Sequence, residues 1–274
     1  MVKVALKDGV YWVGVVDWNI RDFHGYVTNR GSSYNAYLIQ DEQTALIDTV
    51  KNTFSDELIQ KISELTTFDK IDYIIVNHVE MDHSSSLPLI TKLAKNARIF
   101  ASPRGREALI DHYGREFERV ETVKTGDQLK VGKKTLRFIE APMLHWPDSM
   151  FTYLVEDKIL MPNDAFGQHL ACSQRFDDQV DDHVLMEEAT MYYSNILMPL
   201  APLITRKIQE VIQMGIPIEM IAPSHGVVWR KDPMKIVNAY MNWSAGAAKN
   251  KAVIVFDTMW HSTDKMARAI ADGL

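Results

Sequence analysis

Apolar positions in the first third of the chain recur in short runs with a two-residue beat. Val10–Val16, Ala36–Ile39 and Ala45–Asp48 are β-rich and separated by turn chemistry such as Asp41-Glu42, which predicts strands. The beat then changes. Leu58, Ile59, Ile62 and Leu65 fall at helical spacing, so an amphipathic helix is expected from Ser55 to Leu65. Ile71–Val76 is apolar except for Asp72, close to the signature of a strand covered on both faces. Helices are expected at Leu87–Leu93 and Arg104–Tyr113, with a strand at Arg98–Ala101 between them.

The middle of the chain returns to hairpins. Gln128–Val131 and Thr135–Ile139 flank Gly132-Lys133, and Phe151–Val155 and Ile159–Met161 flank Glu156-Asp157. Helical patterns follow at about Asp182–Met198 and Pro202–Met214, then a strand near Met220–Ala222 and a helix near Pro233–Trp243. Hairpins and β-α units that alternate in this way predict two sheets packed as a sandwich with helices outside, an α/β class of fold. No repeat at solenoid periods is present. After Ala245-Gly246-Ala247-Ala248, which reads as a linker, Lys251–Phe256 has the pattern of a fresh buried strand, and a helix is expected from Asp264 onward. A strand, a polar loop and a helix open an α/β domain. The expected organisation is therefore a domain over 1–248 and the first, incomplete unit of a second over 249–274.

Composition narrows the chemistry. The 274 residues are 46% hydrophobic and 24% charged, which suits a folded globular chain rather than a disordered one. Thirty Lys and Arg against 36 Asp and Glu leave a net charge of -6, which does not attract nucleic acid. The N-terminal stretch is interrupted by Lys3, Lys7 and Asp8 and lacks the form of a signal peptide. No apolar run approaches the ~18 residues of a membrane-spanning helix, so a soluble, cytoplasmic protein is expected. The single cysteine, Cys172, excludes an internal disulfide and a thiolate cluster, and it reads as a buried spectator. Chemistry must then lie with the nine histidines and the carboxylates.

The densest cluster is His78-Val79-Glu80-Met81-Asp82-His83, directly after the strand expected at Ile71–Val76. If the loop is extended, His78, Glu80 and Asp82 alternate and point the same way. The spacing is not that of a His-Glu-x-x-His helix. His145, Asp164 and His225 each follow a predicted strand in the same manner. Four histidines and three carboxylates at strand exits suffice for two metal ions that share a carboxylate.

The loop and the intervals after it resemble those of the flavodiiron proteins. Sixty-one residues (84–144) precede His145, 18 (146–163) precede Asp164 and 60 (165–224) precede His225, which is that family's spacing. The resemblance implies a metallo-β-lactamase-like αββα sandwich, with Asp48 of Leu46-Ile47-Asp48-Thr49 supporting the metal loop. It assigns His78, Glu80 and His145 to one iron, Asp82, His83 and His225 to the other, and Asp164 to the bridge. Zinc hydrolases of this fold carry His where Glu80 stands. The exchange hardens the site and favours iron. Three carboxylates leave a diferrous core at about +1.

The resemblance further places His24 and Tyr193 near the open face of the site, where they could donate hydrogen bonds to a bound diatomic. Asp148 is expected to orient a ligand imidazole, and Trp146 to form pocket wall. His112, His169, His183 and His261 have no metal spacing and read as surface or loop residues. The tail segment Asp257–Thr263 resembles the phosphate loop of flavodoxins, so Thr258, Met259, Trp260, His261, Ser262 and Thr263 are expected to hold the FMN phosphate in the full-length protein. The implied activity is reduction of dioxygen to water or nitric oxide to nitrous oxide. FMN would relay electrons from rubredoxin or a similar donor, within a head-to-tail homodimer. Two alternatives stand beside it: a dizinc hydrolase of the same fold acting on a thioester or phosphodiester, and a sensor that binds a diatomic or iron without turnover.

Overall fold

The computed structural model describes residues 4–246 and 250–274. The strands are β1 (Val4–Lys7), β2 (Val10–Trp12), β3 (Val15–Asp17), β4 (Asp22–Phe23), β5 (Tyr26–Val27), β6 (Ser32–Tyr34), β7 (Tyr37–Gln40), β8 (Thr44–Ile47), β9 (Tyr73–Val76), β10 (Arg98–Ala101), β11 (Glu121–Thr122), β12 (Gln128–Lys130), β13 (Thr135–Glu140), β14 (Met150–Leu154), β15 (Ile159–Met161) and β16 (Met220–Ile221). The α-helices are α1 (Ser55–Ser63), α2 (Met81–Ser84), α3 (Leu87–Leu93), α4 (Pro103–Tyr113), α5 (Asp182–Tyr192), α6 (Ala201–Gln213), α7 (Pro233–Ser244) and α8 (Ser262–Asp272).

Two sheets form the body. One has the order β1-β2-β7-β8-β9-β10-β11, antiparallel as far as β8 and parallel from β8 to β11. The other has the order β12-β13-β14-β15-β16, in which only β15–β16 is parallel. Strand alternation explains why the sheets stack. Tyr37, Ile39, Ala45, Ile47, Tyr73, Ile75 and Phe100 of the first sheet meet Leu136, Phe138, Met150, Leu154, Ile159 and Met161 of the second in one buried cluster. The intervening residues are apolar as well. Leu38, Leu46, Ile74 and Ile99 pack under Leu58, Ile62, Ile90 and Leu109 of α1, α3 and α4. Ile139, Phe151, Tyr153, Leu160 and Ile221 pack under Leu185, Ile204, Ile208, Ile236 and Tyr240 of α5, α6 and α7. The result is the αββα sandwich that the alternation predicts.

Three differences from the sequence reading matter. Val10–Val16 is not one strand: it divides into β2 and β3, and β3 leaves the main sheet to pair with β6. The expected helix at 182–198 ends as α5 at Tyr192 and continues as a π-helical turn, Tyr193–Leu197. The expected buried strand Lys251–Phe256 does not form, and Val253 and Val255 are mostly exposed. A parallel strand needs a neighbour to complete its hydrogen bonds, and among the described residues none pairs with this segment. The helix after it is present as α8. Of the expected linker, Ala247 and Ala248 lie outside the described residues, as does Lys249 at the start of the second expected unit. No described helix is long and apolar enough to cross a membrane.

Candidate metal centre

The site lies at strand exits on one rim of the sandwich, and the chain reaches it by sharp turns. Asp48, just past β8, adopts a left-handed backbone (φ 57°), as does Asn163 just past β15 (φ 55°). Asp48 Oδ1 accepts the Asn77 backbone N–H (2.7 Å), while Oδ2 accepts the Asn77 and Asn163 side-chain amides (3.0 and 3.2 Å). One buried carboxyl therefore ties together the residues immediately before His78 and Asp164. Burial pushes its pKa up, against the pull of His83 and these hydrogen bonds.

The metal loop is not fully extended. His78 and Glu80 precede α2, whereas Asp82 and His83 sit on its first turn. Helix geometry separates the four side chains into two pairs. His78 Nε2 lies 3.4 Å from Glu80 Oε2, and His83 Nε2 lies 3.1 Å from Asp82 Oδ2. The second sheet completes both pairs. His145 Nε2 is 3.1 Å from Glu80 Oε2, and His225 Nε2 is 3.2 Å from Asp82 Oδ2. Asp164 stands between them. Its Oδ2 faces His78 and His145 (3.5 and 3.1 Å), and its Oδ1 faces His83 and His225 (3.1 and 3.2 Å). All seven sequence-predicted ligands are thus brought together, and His83 points inward with the rest.

These atoms meet without satisfying one another. His145 Nε2, His225 Nε2, Asp164 Oδ2 and both Asp82 oxygens are buried and lack a hydrogen bond of acceptable geometry. Buried polar atoms left so are costly unless a cation completes them. Each half offers imidazole nitrogens and carboxylate oxygens, a donor set that fits a divalent transition metal. The site's electrostatics agree. Burial alone would raise the Asp164 carboxyl, but the close imidazoles of His83, His145 and His225 hold it well below its usual range. Burial alone would lower the histidines, yet Asp164 and Glu80 carry His145 to about 9, and Asp164 and Asp82 carry His225 to about 10.

A second ring of residues fixes the ligands. Asp148 Oδ2 accepts from His78 Nδ1 (2.9 Å) and from the Val79 N–H (2.7 Å), so Asp148 orients the imidazole of His78. The Ser33 carbonyl accepts from His225 Nδ1 at 2.7 Å. Ser224 Oγ and Tyr192 Oη donate to Asp164 Oδ1 at 2.9 and 3.1 Å. The Trp146 ring stands edge-on to His78, with centroids 5.2 Å apart.

His24 reaches the site from a two-residue hairpin turn between β4 and β5, in which both His24 and Gly25 have positive φ (52° and 77°). Its Nε2 lies 3.6 Å from Glu80 Oε1. Burial and the nearby His225 lower its pKa to about 4, so it is neutral at pH 7.

Two expectations are corrected here. Tyr193 does not face the site: its hydroxyl bonds Ser244 Oγ at 2.9 Å, and its ring packs on Tyr240 and Trp243. Tyr192 takes the place assigned to it, because one residue along a helix turns the side chain by about 100°. His169 is not a surface residue. It is fully buried, bonded to His24 Nδ1 (3.1 Å) and Ser32 Oγ (2.8 Å). No local signal marks it, since it becomes part of the site only when the hairpin folds over. His112, His183 and His261 are exposed, and Cys172 is only partly buried. In the tail, Met259 and Trp260 are mostly exposed, and His261 precedes α8 with a left-handed backbone.

Residues 33–226 match the family model described as ODP family beta lactamase. The chain is 54% identical over 273 residues to a nitric oxide reductase of Moorella thermoacetica, covering 99% of this chain and 68% of that protein. Its fold superposes on rubredoxin oxygen:oxidoreductase of Desulfovibrio gigas with a TM-score of 0.96 at 40% identity, covering 99% of this chain and 68% of that one. It superposes on the flavodiiron protein of Giardia intestinalis with a TM-score of 0.93 at 42% identity, covering 100% and 67% respectively.

Proposed function

The chain belongs to the ODP beta-lactamase family and groups there with the flavodiiron proteins, and from that premise we propose that its metal centre takes two irons and reduces a small diatomic oxidant. The reaction is dioxygen to water or nitric oxide to nitrous oxide. The observation that carries this reading is Asp164, whose two oxygens each face a separate pair of histidine nitrogens, with Glu80 closing one pair and Asp82 the other. A carboxylate at Glu80 makes that half harder than an all-histidine pocket and suits iron in both of its oxidation states. Bound there, iron would supply electrons and Lewis acidity to the diatomic.

The chain's own groups hold and orient. Asp148 accepts a hydrogen bond from the Nδ1–H of His78, which leaves Nε2 to ligate, and the Ser33 carbonyl does the same for His225. His24 stands near the open side. Ser32 Oγ meets His169 Nδ1 at 2.8 Å and donates to the Ser33 carbonyl at 3.3 Å. His169 Nε2 meets His24 Nδ1 at 3.1 Å, and this chain of contacts orients the His24 ring with Nε2 facing Glu80 and the site.

In the same reading, FMN would relay electrons from rubredoxin or a similar donor, and a head-to-tail homodimer would bring flavin and metal close. Residues 249–274 open the flavin domain, and Thr258, Met259, Trp260, His261, Ser262 and Thr263 receive the FMN phosphate at the start of α8. With Met259 and Trp260 mostly exposed, this stretch by itself builds no enclosed pocket for the flavin ring. A cytoplasmic location belongs to the same proposal.

Metal analysis of anaerobically purified protein tests the reading. About two irons per chain are expected from the paired donor sets. Two zincs and no iron, from cells supplied with both metals, would overturn it in favour of a dizinc hydrolase.

A further inference from the structure

His225 is carried by Pro223-Ser224-His225-Gly226, a loop that belongs to no helix or strand. Its shape therefore depends on bonds from other segments, and one buried residue supplies three of them. Asn35 lies between β6 and β7. Its main-chain N–H donates to the Ser224 carbonyl at 2.7 Å. Its Nδ2 donates to the carbonyls of Pro223 (2.8 Å) and Gly226 (3.0 Å), one on each side of His225. Its Oδ1 accepts from Trp12 Nε1 (2.8 Å) and Ser33 Oγ (3.0 Å). An indole N–H can only donate, so Trp12 fixes which end of the amide is oxygen and turns the NH2 toward the loop. Both donors and both acceptor positions of the side chain are then used.

Neighbouring residues act on the same loop. The Ser33 carbonyl accepts from His225 Nδ1, and Ser33 Oγ accepts the Gly226 N–H, both at 2.7 Å. The Tyr37 hydroxyl donates to the Pro223 carbonyl at 2.6 Å. On the other side Gln168 Oε1 accepts the Val227 N–H at 2.7 Å, and it lies so close to Gly226 that a Cβ there would come within 1.7 Å of it. One short segment, Ser33 to Tyr37, thus bonds the His225 ring and also the backbone before and after it. The ring cannot swing without breaking buried hydrogen bonds, each costly to leave unmade. His78 is held differently, by the carboxylate of Asp148.

We propose that Asn35 is a positioning residue for the half of the centre built from Asp82, His83 and His225. It aims His225 Nε2 at its metal through the loop backbone and not by touching the ring. The inference rests on the reading of a paired metal centre, but not on iron or on a diatomic substrate. Without the Asn35 side chain the carbonyls on both sides of His225 lose a partner, and the imidazole loses its fixed direction. The half that holds His78 and His145 keeps its own support, so the effect falls on one metal of the two.

Cadmium-113 bound in place of iron is the probe, because its magnetic resonance gives one signal per site and follows ligand geometry. Two signals are expected from the wild-type protein, and Asp148→Asn identifies the one that belongs to His78. Asn35→Ala should move or broaden the other alone and weaken that site about tenfold in a cadmium titration. Tyr37→Phe removes one loop bond and almost no volume. It should move the same signal less and retain both metals. Tyr153→Phe removes a comparable bond, from a tyrosine hydroxyl to the Pro217 carbonyl (2.5 Å), away from the site, and should move neither signal. Unchanged signals and affinities in Asn35→Ala overturn the inference; if that variant does not fold, an unmoved signal in Tyr37→Phe does so. Equal movement of both signals, or the same movement in Tyr153→Phe, also overturns it, because that is general loosening of the fold. A protein that carries zinc and reduces neither gas would instead remove the proposed function and leave this inference standing.

Discussion

Asp164 concentrates the site's chemistry in one side chain. It faces four imidazoles and accepts from Tyr192 and Ser224, and it is fully buried. Asp164→Ala should therefore lose at least one iron per chain, read by metal analysis of the purified variant; full retention of both would remove its bridging role. A second expectation concerns protons. In metal-free protein His145 and His225 are held at about 9 and about 10, and against burial Asp148 and Glu80 hold His78 well above its usual value, so all three are charged at pH 7. A metal must displace those protons. Loading metal-free protein near pH 7.5 should then release roughly three protons per chain, and affinity should rise with pH up to about 10. The folding linkage runs the other way. A histidine raised above its unfolded value of about 6.5 stabilises the metal-free fold fully below that pH and ceases to do so as pH climbs through 9–10. Calorimetric titration in buffers of different ionisation heat measures the proton count.

At the level of elements, register decides which side chains arrive. The two tyrosines at the end of α5 show this most directly, because the resemblance pointed to Tyr193 and the structure sends its neighbour instead. The helix sends Tyr192 to Asp164, and the π-helical turn beginning at Tyr193 buries the second ring against Tyr240 and Trp243. Tyr192→Phe should weaken metal retention about tenfold in competition with a chelator, whereas Tyr193→Phe should leave it unchanged. Periodic runs were legible because their apolar pattern is a local property: the helix Leu87–Leu93 and the strands Arg98–Ala101 and Ile159–Met161 coincide with α3, β10 and β15. The short strands β3, β4, β5 and β6 were not all legible. Each has only two or three residues, too few to show a period, and each exists through pairing with a distant partner.

On the scale of the whole molecule, the metal centre joins the two halves of the sandwich. His78, Glu80, Asp82 and His83 follow β9 of one sheet, while His145, Asp164 and His225 follow β13, β15 and β16 of the other. A bound metal therefore links the sheets across their rim, and only the folded chain assembles the full donor set. Removing it with a strong chelator should lower the melting temperature. A metal at a hundredfold excess over its Kd contributes ~2.7 kcal/mol, which for a domain of this size corresponds to a fall of about 5–10 °C. Differential scanning of metal-loaded and metal-free protein reads this, and equal midpoints would show that the metal does not staple the sheets.

Local order along the chain determined the apolar alternation, the two-sheet architecture that follows from it, and the identity of all seven candidate ligands, because those ligands sit at strand exits with intervals that no folding event alters. Tertiary structure alone decided the rest. His169 became a partner of His24 when a hairpin closed over the rim, Asp148 turned out to hold His78 rather than its neighbour His145, and Lys251–Phe256 stayed unpaired despite a strand pattern. The physical reason is common to all three. A side chain's own sequence sets what it can bond, but burial and hydrogen-bond partners come from segments far away in the chain, and only their packing chooses among the options.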